Sequence, residues 1–177
     1  MIDGSGGTCV SMPALYVAVG RRLGYPMHLV TTRAHVFARW DGPNSQGAHE
    51  RLNIEATGQG LAVYDDDHYL IWPHEITEQQ AAENGWLTNL DSEAELALFL
   101  ATSGHVFEDT GATTAALATY RLAGRIDPAR PMYNGYADQL TARLRGGMAG
   151  RGRDRQAHDP LAELRGINEL NRRGQVR

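Results

Sequence analysis

Apolar residues recur at helical spacing near the start of the chain, where Met12, Tyr16, Val19 and Leu23 fall on one face. This predicts a helix from Thr8 to about Leu23, capped by Thr8 and stopped by Gly24. Pro13 fits because it lies in the first turn, where no backbone hydrogen bond is lost. Tyr25-Pro26 reads as a turn and Met27 to Thr32 as a strand. Thr31 to Trp40 alternates like a second strand, and Arg51 to Thr57 alternates again. Between them, Trp40 to Gly47 reads as a polar loop, and Gly58-Gln59-Gly60 ends the last strand. The fold class expected is α+β, with an N-terminal helix packed on an antiparallel β-sheet and an α-helical C-terminal part.

From Thr77 the pattern becomes helical. Thr77 to Gln80 and Ser92 to Glu95 have the form of capping boxes, and Leu96, Phe99 and Leu100 follow on one face. Gly111 to Ala123 and Pro131 to Leu144 read as two more helices, joined across Gly124 to Pro128. Small residues at Ala115, Ala116 and Ala118 allow close approach, so the pair resembles one tetratricopeptide-like hairpin. Such a hairpin serves either as a dock for a protein partner or as a cap that completes the core. Gly146 to Pro160 reads as a linker and Leu161 to Leu170 as a short amphipathic helix. Three regions result: 1–76 as the core, 77–145 as the helical part, and 146–177 as an Arg-rich tail.

Composition narrows the functional classes. The net charge of −4 gives no whole-protein attraction to nucleic acid. From Arg145 onward eight arginines face four acidic residues, but no aromatic side chain is interleaved to stack on bases. That tail is expected to be solvated. All basic residues are arginine, so the chain offers no lysine as an acyl acceptor. A single cysteine excludes an intrachain disulfide and a Cys-based metal site. Asp65-Asp66-Asp67-His68 lacks the spacing of a Ca²⁺ loop, and no cofactor or metal is expected. No apolar run reaches membrane-spanning length and the N-terminus lacks a signal-peptide pattern, so a cytoplasmic protein that binds no membrane is expected. Tyr64, Tyr69 and Trp72 read as core, with cleft lining as the alternative, and His74 reads as a surface residue.

The chemistry concentrates on Cys9, which stands where a glycine-rich turn runs into the first helix. Unpaired N–H groups and a partial positive charge at a helix N-terminus favour thiolate over thiol. A thiol nucleophile needs a base, and the base needs a group that fixes its tautomer. In the third strand Leu52 and Ile54 point one way, Asn53 and Glu55 the other. If that polar face lies beside His35, an imidazole meets a carboxylate or an amide.

Gly-Gly-Thr-Cys-Val-Ser-Met-Pro, Ala-His-Val-Phe-Ala-Arg-Trp and Asn-Ile-Glu-Ala-Thr-Gly together resemble the transglutaminase-like superfamily of cysteine enzymes, in its bacterial branch. The resemblance covers roughly the first 60 to 75 residues. It implies Cys9 as nucleophile, His35 as base and Glu55 as the orienting group, with Asn53 as the fallback third member. The family's third motif often reads Asp-Pro-Thr, and Glu55-Ala56-Thr57 stands in its place. Relatives usually carry a helical stretch before the Cys, whereas Met1 lies only eight residues upstream of Cys9, which leaves the second oxyanion donor unassigned. An open cleft suited to a peptide or protein substrate is expected. The implied activity is acyl transfer on an amide or peptide through a Cys9 thioester, as protease, amidase or transglutaminase. Two rivals stand beside it: a non-catalytic interaction module on the same scaffold, and a redox sensor in which Cys9 is oxidised.

Overall fold

The computed structural model describes residues 8–57 and 62–149. These fall into two units, one ending at Leu90 and one beginning at Asp91. The division lies beyond the change of pattern at Thr77, because residues 86–90 stay with the sheet. The Leu87 and Leu90 N–H groups donate to the Thr31 and Leu29 carbonyls at 2.8 and 2.9 Å, and Val30 bridges Asn89.

The first unit opens with helix α1 (Ser11–Arg22). Its regular turns start three residues after the expected cap Thr8, with Val10 in the cap position, and Thr8 bonds into the turn that precedes them. Thr8 Oγ1 accepts from the Ser11 N–H at 3.1 Å, while Ser11 Oγ accepts from the Thr8 N–H at 2.8 Å. Reciprocal bonds of this kind satisfy two of the orphan donors of a helix start. At the other end, the Arg21 guanidinium donates to the Met27 carbonyl at 2.7 Å, and Gly20 lets Met27 lie directly on the helix.

Strands β1 (Met27–Thr32), β2 (His35–Pro43), β3 (His49–Glu55) and β4 (Ala62–Tyr64) form an antiparallel sheet in chain order. The meander expected from the alternating pattern is present, with β4 as an added edge. A two-residue connection, Arg33-Ala34, joins β1 to β2, and Ala34 takes a left-handed φ of 58°. That conformation is costly for a residue with a Cβ, and it immediately precedes His35. Trp40 to Pro43, expected as loop, continues β2 because Asp41, Gly42 and Pro43 pair with Arg51, Glu50 and His49. The connection therefore narrows to Asn44–Ala48, where Asn44 Oδ1 accepts from the Gln46 and Ala48 N–H groups, each at 3.0 Å. Gly58-Gln59-Gly60 lies outside the described residues.

Register assigns the faces. Ala38 pairs with Ile54 and Val30 with Phe37, so Val30, Phe37, Arg39, Asn53 and Glu55 share one face with His35. Met27, Leu29, Val36, Ala38, Trp40 and Ile54 share the other, against α1. Helix α2 (Asp66–Ile71) covers the His35 face, and the short α3 (Glu78–Glu83) follows with the expected Thr77–Gln80 capping box. Both faces of β2 are covered, and its first five residues are buried.

The second unit contains α4 (Ser92–Asp109), α5 (Thr113–Ile126) and α6 (Met132–Ala149). The cap of α4 is Asp91, whose carboxylate accepts from the Ala94 N–H at 2.8 Å, one residue before the expected Ser92. Its core is built from small residues and tyrosines, including Ala97, Ala101, Ala116, Tyr120, Ala123 and Tyr133. Gly104 is part of this fit, since a Cβ there meets the Tyr120 ring. A polar chain crosses the three helices from a buried start to an exposed end: Tyr120 Oη lies 2.6 Å from His105 Nδ1 and donates to Glu108 at 3.0 Å, and Glu108 pairs with Arg143. Gly146 to Ala149, expected as linker, belongs to α6. The expected helix at Leu161 to Leu170 lies outside the described residues. Among the described residues no helix is long and apolar enough to cross a membrane.

Candidate active site

The pairing of β2 with β3 settles which of the polar groups meet. Counting back from Ala38 opposite Ile54 places odd-numbered residues of both strands on one face. His35 Nε2 and Glu55 Oε2 lie 2.6 Å apart, with side-chain exposures of 0% and 6%. His35 Nδ1 is buried with no hydrogen-bond partner among the described residues. Glu55 is itself held by its successor: the Thr57 N–H donates to Oε1 at 3.0 Å, and the Thr57 hydroxyl donates to the same oxygen. Burial pushes the Glu55 carboxyl up, but the hydrogen bonds and charge of His35 and the Thr57 donors outweigh it, and the group titrates below its ordinary value.

Asn53 shares the face but not the partner. Its amide oxygen accepts from Arg39 Nε at 2.6 Å and its amide nitrogen donates to Asp66 at 2.8 Å. Glu55, not the fallback Asn53, is therefore the group on His35.

Cys9 is completely buried at the entry to α1. The ladder between β2 and β3 runs no further than Ala38 and Ile54, so the Val36 N–H is left over by the sheet, and it points at the Cys9 sulfur. That contact places the thiol beside the His35–Val36 start of β2. Burial and the nearby Glu55 carboxylate push the thiol up to about 12, against the lowering effect of the Val36 and Cys9 N–H groups. The direction is opposite to the one expected from the helix N-terminus, because desolvation of a buried charge exceeds what the two N–H groups return.

Two further features shape this face: the first involves the aromatic group read from the sequence as core or cleft lining, and the second was not singled out. One is an aromatic enclosure. Tyr69 stacks on Phe37 at 3.8 Å, and the edge of Trp72 meets the His35 ring at 4.8 Å and 77°. Trp72 is stacked on His68 at 5.4 Å, and His68 on Tyr64 at 3.9 Å. Tyr69 is core, as expected, but Tyr64 is exposed and Trp72 half-buried. The spacing 64, 68, 72 was the available signal.

The other is Arg39, two residues along the same face from Phe37 and fully buried. Its guanidinium donates to Asn53, to the Leu87 carbonyl at 2.9 Å, to Asn89 at 3.3 Å and to Asp66. One cation thereby ties β2, β3, α2 and residues 86–90 together. Burial lowers the Arg39 pKa while Asp66 raises it, and the net direction is down. Within the acidic run, Asp65 caps α2 through the His68 N–H, and Asp66 serves Arg39.

On the opposite face an apolar groove of about 500 Å³ runs beside α1, lined by Leu15, Val19, Tyr25, Met27, Trp40 and Ile54. No titratable pair opens into it, so it is separate from the chemistry at His35.

The chain was compared with protein-family models, with curated proteins and with solved structures, and no match was found in any of the three.

Proposed function

We propose that this chain is a transglutaminase-like cysteine enzyme that transfers an acyl group from an amide or peptide. The observation that carries the reading is the His35–Glu55 pair at 2.6 Å, with His35 Nδ1 left over on the strand whose Val36 N–H points at the buried Cys9 thiol. Glu55 holds Nε2, fixing the tautomer with its proton on that nitrogen and leaving Nδ1 as the basic atom.

His35 Nδ1 takes the proton of Cys9 as the sulfur attacks the carbonyl carbon, forming an S–C bond. The Cys9 N–H is the first donor to the resulting oxyanion. Collapse breaks the C–N bond, and the imidazolium returns its proton to the departing amine. Water or a second amine then attacks the thioester, giving up a proton to His35, which passes it to the sulfur as the acyl product leaves. Because the resting group is a thiol, the base acts during attack and no thiolate is stored beforehand.

A second reading, a non-catalytic interaction module on the same scaffold, is favoured by one observation: Cys9 is out of solvent and carries a raised thiol. An activated ester or amide separates the two. An enzyme forms a Cys9 adduct, seen by mass spectrometry and released by hydroxylamine as a thioester is, and His35→Ala abolishes turnover with the fold intact. A protein that forms no adduct, or turns over equally well as His35→Ala, is the module.

A further inference from the structure

The trio Cys9, His35 and Glu55 is sealed, with Cys9 and the His35 ring at 0% exposure. A nucleophile that meets an external carbonyl has to be reached. Two rings stand against the His35 imidazole, and they are held very differently. Tyr69 is fully buried, stacked face to face on Phe37, and its backbone carbonyl accepts from the Thr32 hydroxyl at 3.1 Å. It is fixed by the core.

Trp72 is half-buried and closes α2 on its solvent side. Its indole is braced outward by His68, itself half-buried, and His68 in turn by the exposed Tyr64. Beyond the edge contacts of His68 and Trp72 on Tyr69 at 5.1 and 6.2 Å, these are stacking contacts between partly wet rings, which cost little to part compared with a packed core. The wall of the site therefore has one immovable side and one releasable side.

We propose that Trp72 is a shutter over the Cys9–His35 pair, latched by the His68–Tyr64 stack, and that a substrate enters by displacing it. This rests on the reading of Cys9 as nucleophile. In the arrangement described, the shutter is closed.

The test uses the full chain and iodoacetamide, with the alkylation rate of Cys9 read by mass spectrometry at one fixed pH. Trp72→Ala is expected to raise the rate at least tenfold. Tyr64→Ala, which removes an exposed ring whose contact with the core is an edge on Tyr69 at 6.3 Å, is expected to raise it several-fold. Ile71→Ala, next to Trp72 but 70% exposed, is expected to leave it unchanged. Circular dichroism of each variant reports on folding, and Tyr64→Ala decides the matter if Trp72→Ala unfolds. Wild-type rates in folded Trp72→Ala and Tyr64→Ala overturn the shutter, as does an equal rise in Ile71→Ala. Failure of the acyl-transfer reading is separate: it appears as the absence of a hydroxylamine-sensitive adduct even when Trp72→Ala has opened the thiol to iodoacetamide.

Discussion

His35 and Glu55 face each other at 2.6 Å from adjacent strands, twenty residues apart in sequence and both out of solvent. Their alignment follows from the register of β2 on β3, and it depresses the titration of Glu55. Folded Glu55 titrates below its ordinary value, so the fold binds fewer protons than the unfolded chain between the two values. Its contribution to stability is present above the unfolded value of about 4.3 and is lost as pH falls through the folded value. Urea unfolding at a series of pH values from 7 to 3 is therefore expected to show wild-type stability falling more steeply in acid than that of Glu55→Gln. Parallel curves would remove the depressed carboxylate.

Cys9 makes the opposite kind of prediction. With its thiol pushed up to about 12, alkylation by iodoacetamide is expected to climb with pH past the ordinary thiol value of about 8.5. No plateau is expected below neutrality, in wild type or in His35→Ala. A plateau below pH 7 that collapses in His35→Ala would instead reveal a standing thiolate–imidazolium pair.

Arg39 is held by a counter-ion that is one-third exposed. Asp66→Asn leaves the buried guanidinium without that charge. Breaking a fully buried ion pair costs about 3–5 kcal/mol, and the exposure of Asp66 reduces the expected loss to roughly 2 kcal/mol. Chemical denaturation measures it, and a loss under 0.5 kcal/mol, on the order of an exposed pair, would mean that Asn53, Leu87 and Asn89 alone suffice.

In the second unit, Gly104→Ala sets helix propensity against packing. The exchange favours the helix by about 1 kcal/mol. The new Cβ, however, lies 2.5 Å from a Tyr120 ring carbon, and that ring is pinned by His105 and Glu108. Overpacking of about 1–3 kcal/mol is expected to win, lowering the melting temperature of the variant. A rise in melting temperature would show that Tyr120 yields.

The parts legible in the sequence were those governed by one periodicity. The helical spacing after Cys9 and the alternation of β2 and β3 placed Cys9, His35 and Glu55 at the elements that carry them, although the face α1 buries is Pro13, Val17 and Gly20 and not the stripe ending in the exposed Val19 and Leu23. Arg39 was hidden by the same rule that revealed Glu55, because a charged residue in an alternating strand reads as solvent-facing, and here that face is covered. Residues 86–90 carry no pattern of their own and are placed by hydrogen bonds to β1. The raised thiol was illegible for a related reason: a helix N-terminus is visible in sequence, while the depth at which it is buried depends on everything packed around it.

The chain-order meander has a consequence for how the site assembles. His35 and Glu55 lie on neighbouring strands and Cys9 stands just before α1, which packs on β1 and β2, so short loop closures bring these elements together. The bonds from Arg39 to Leu87 and Asn89 span 48 and 50 residues and close a much longer loop. Early in folding the pair on β2 and β3 can form on the hairpins alone, while its face still awaits α2 and residues 86–90. Hydrogen exchange during refolding would then protect the β1–β3 amides before those of residues 86–90.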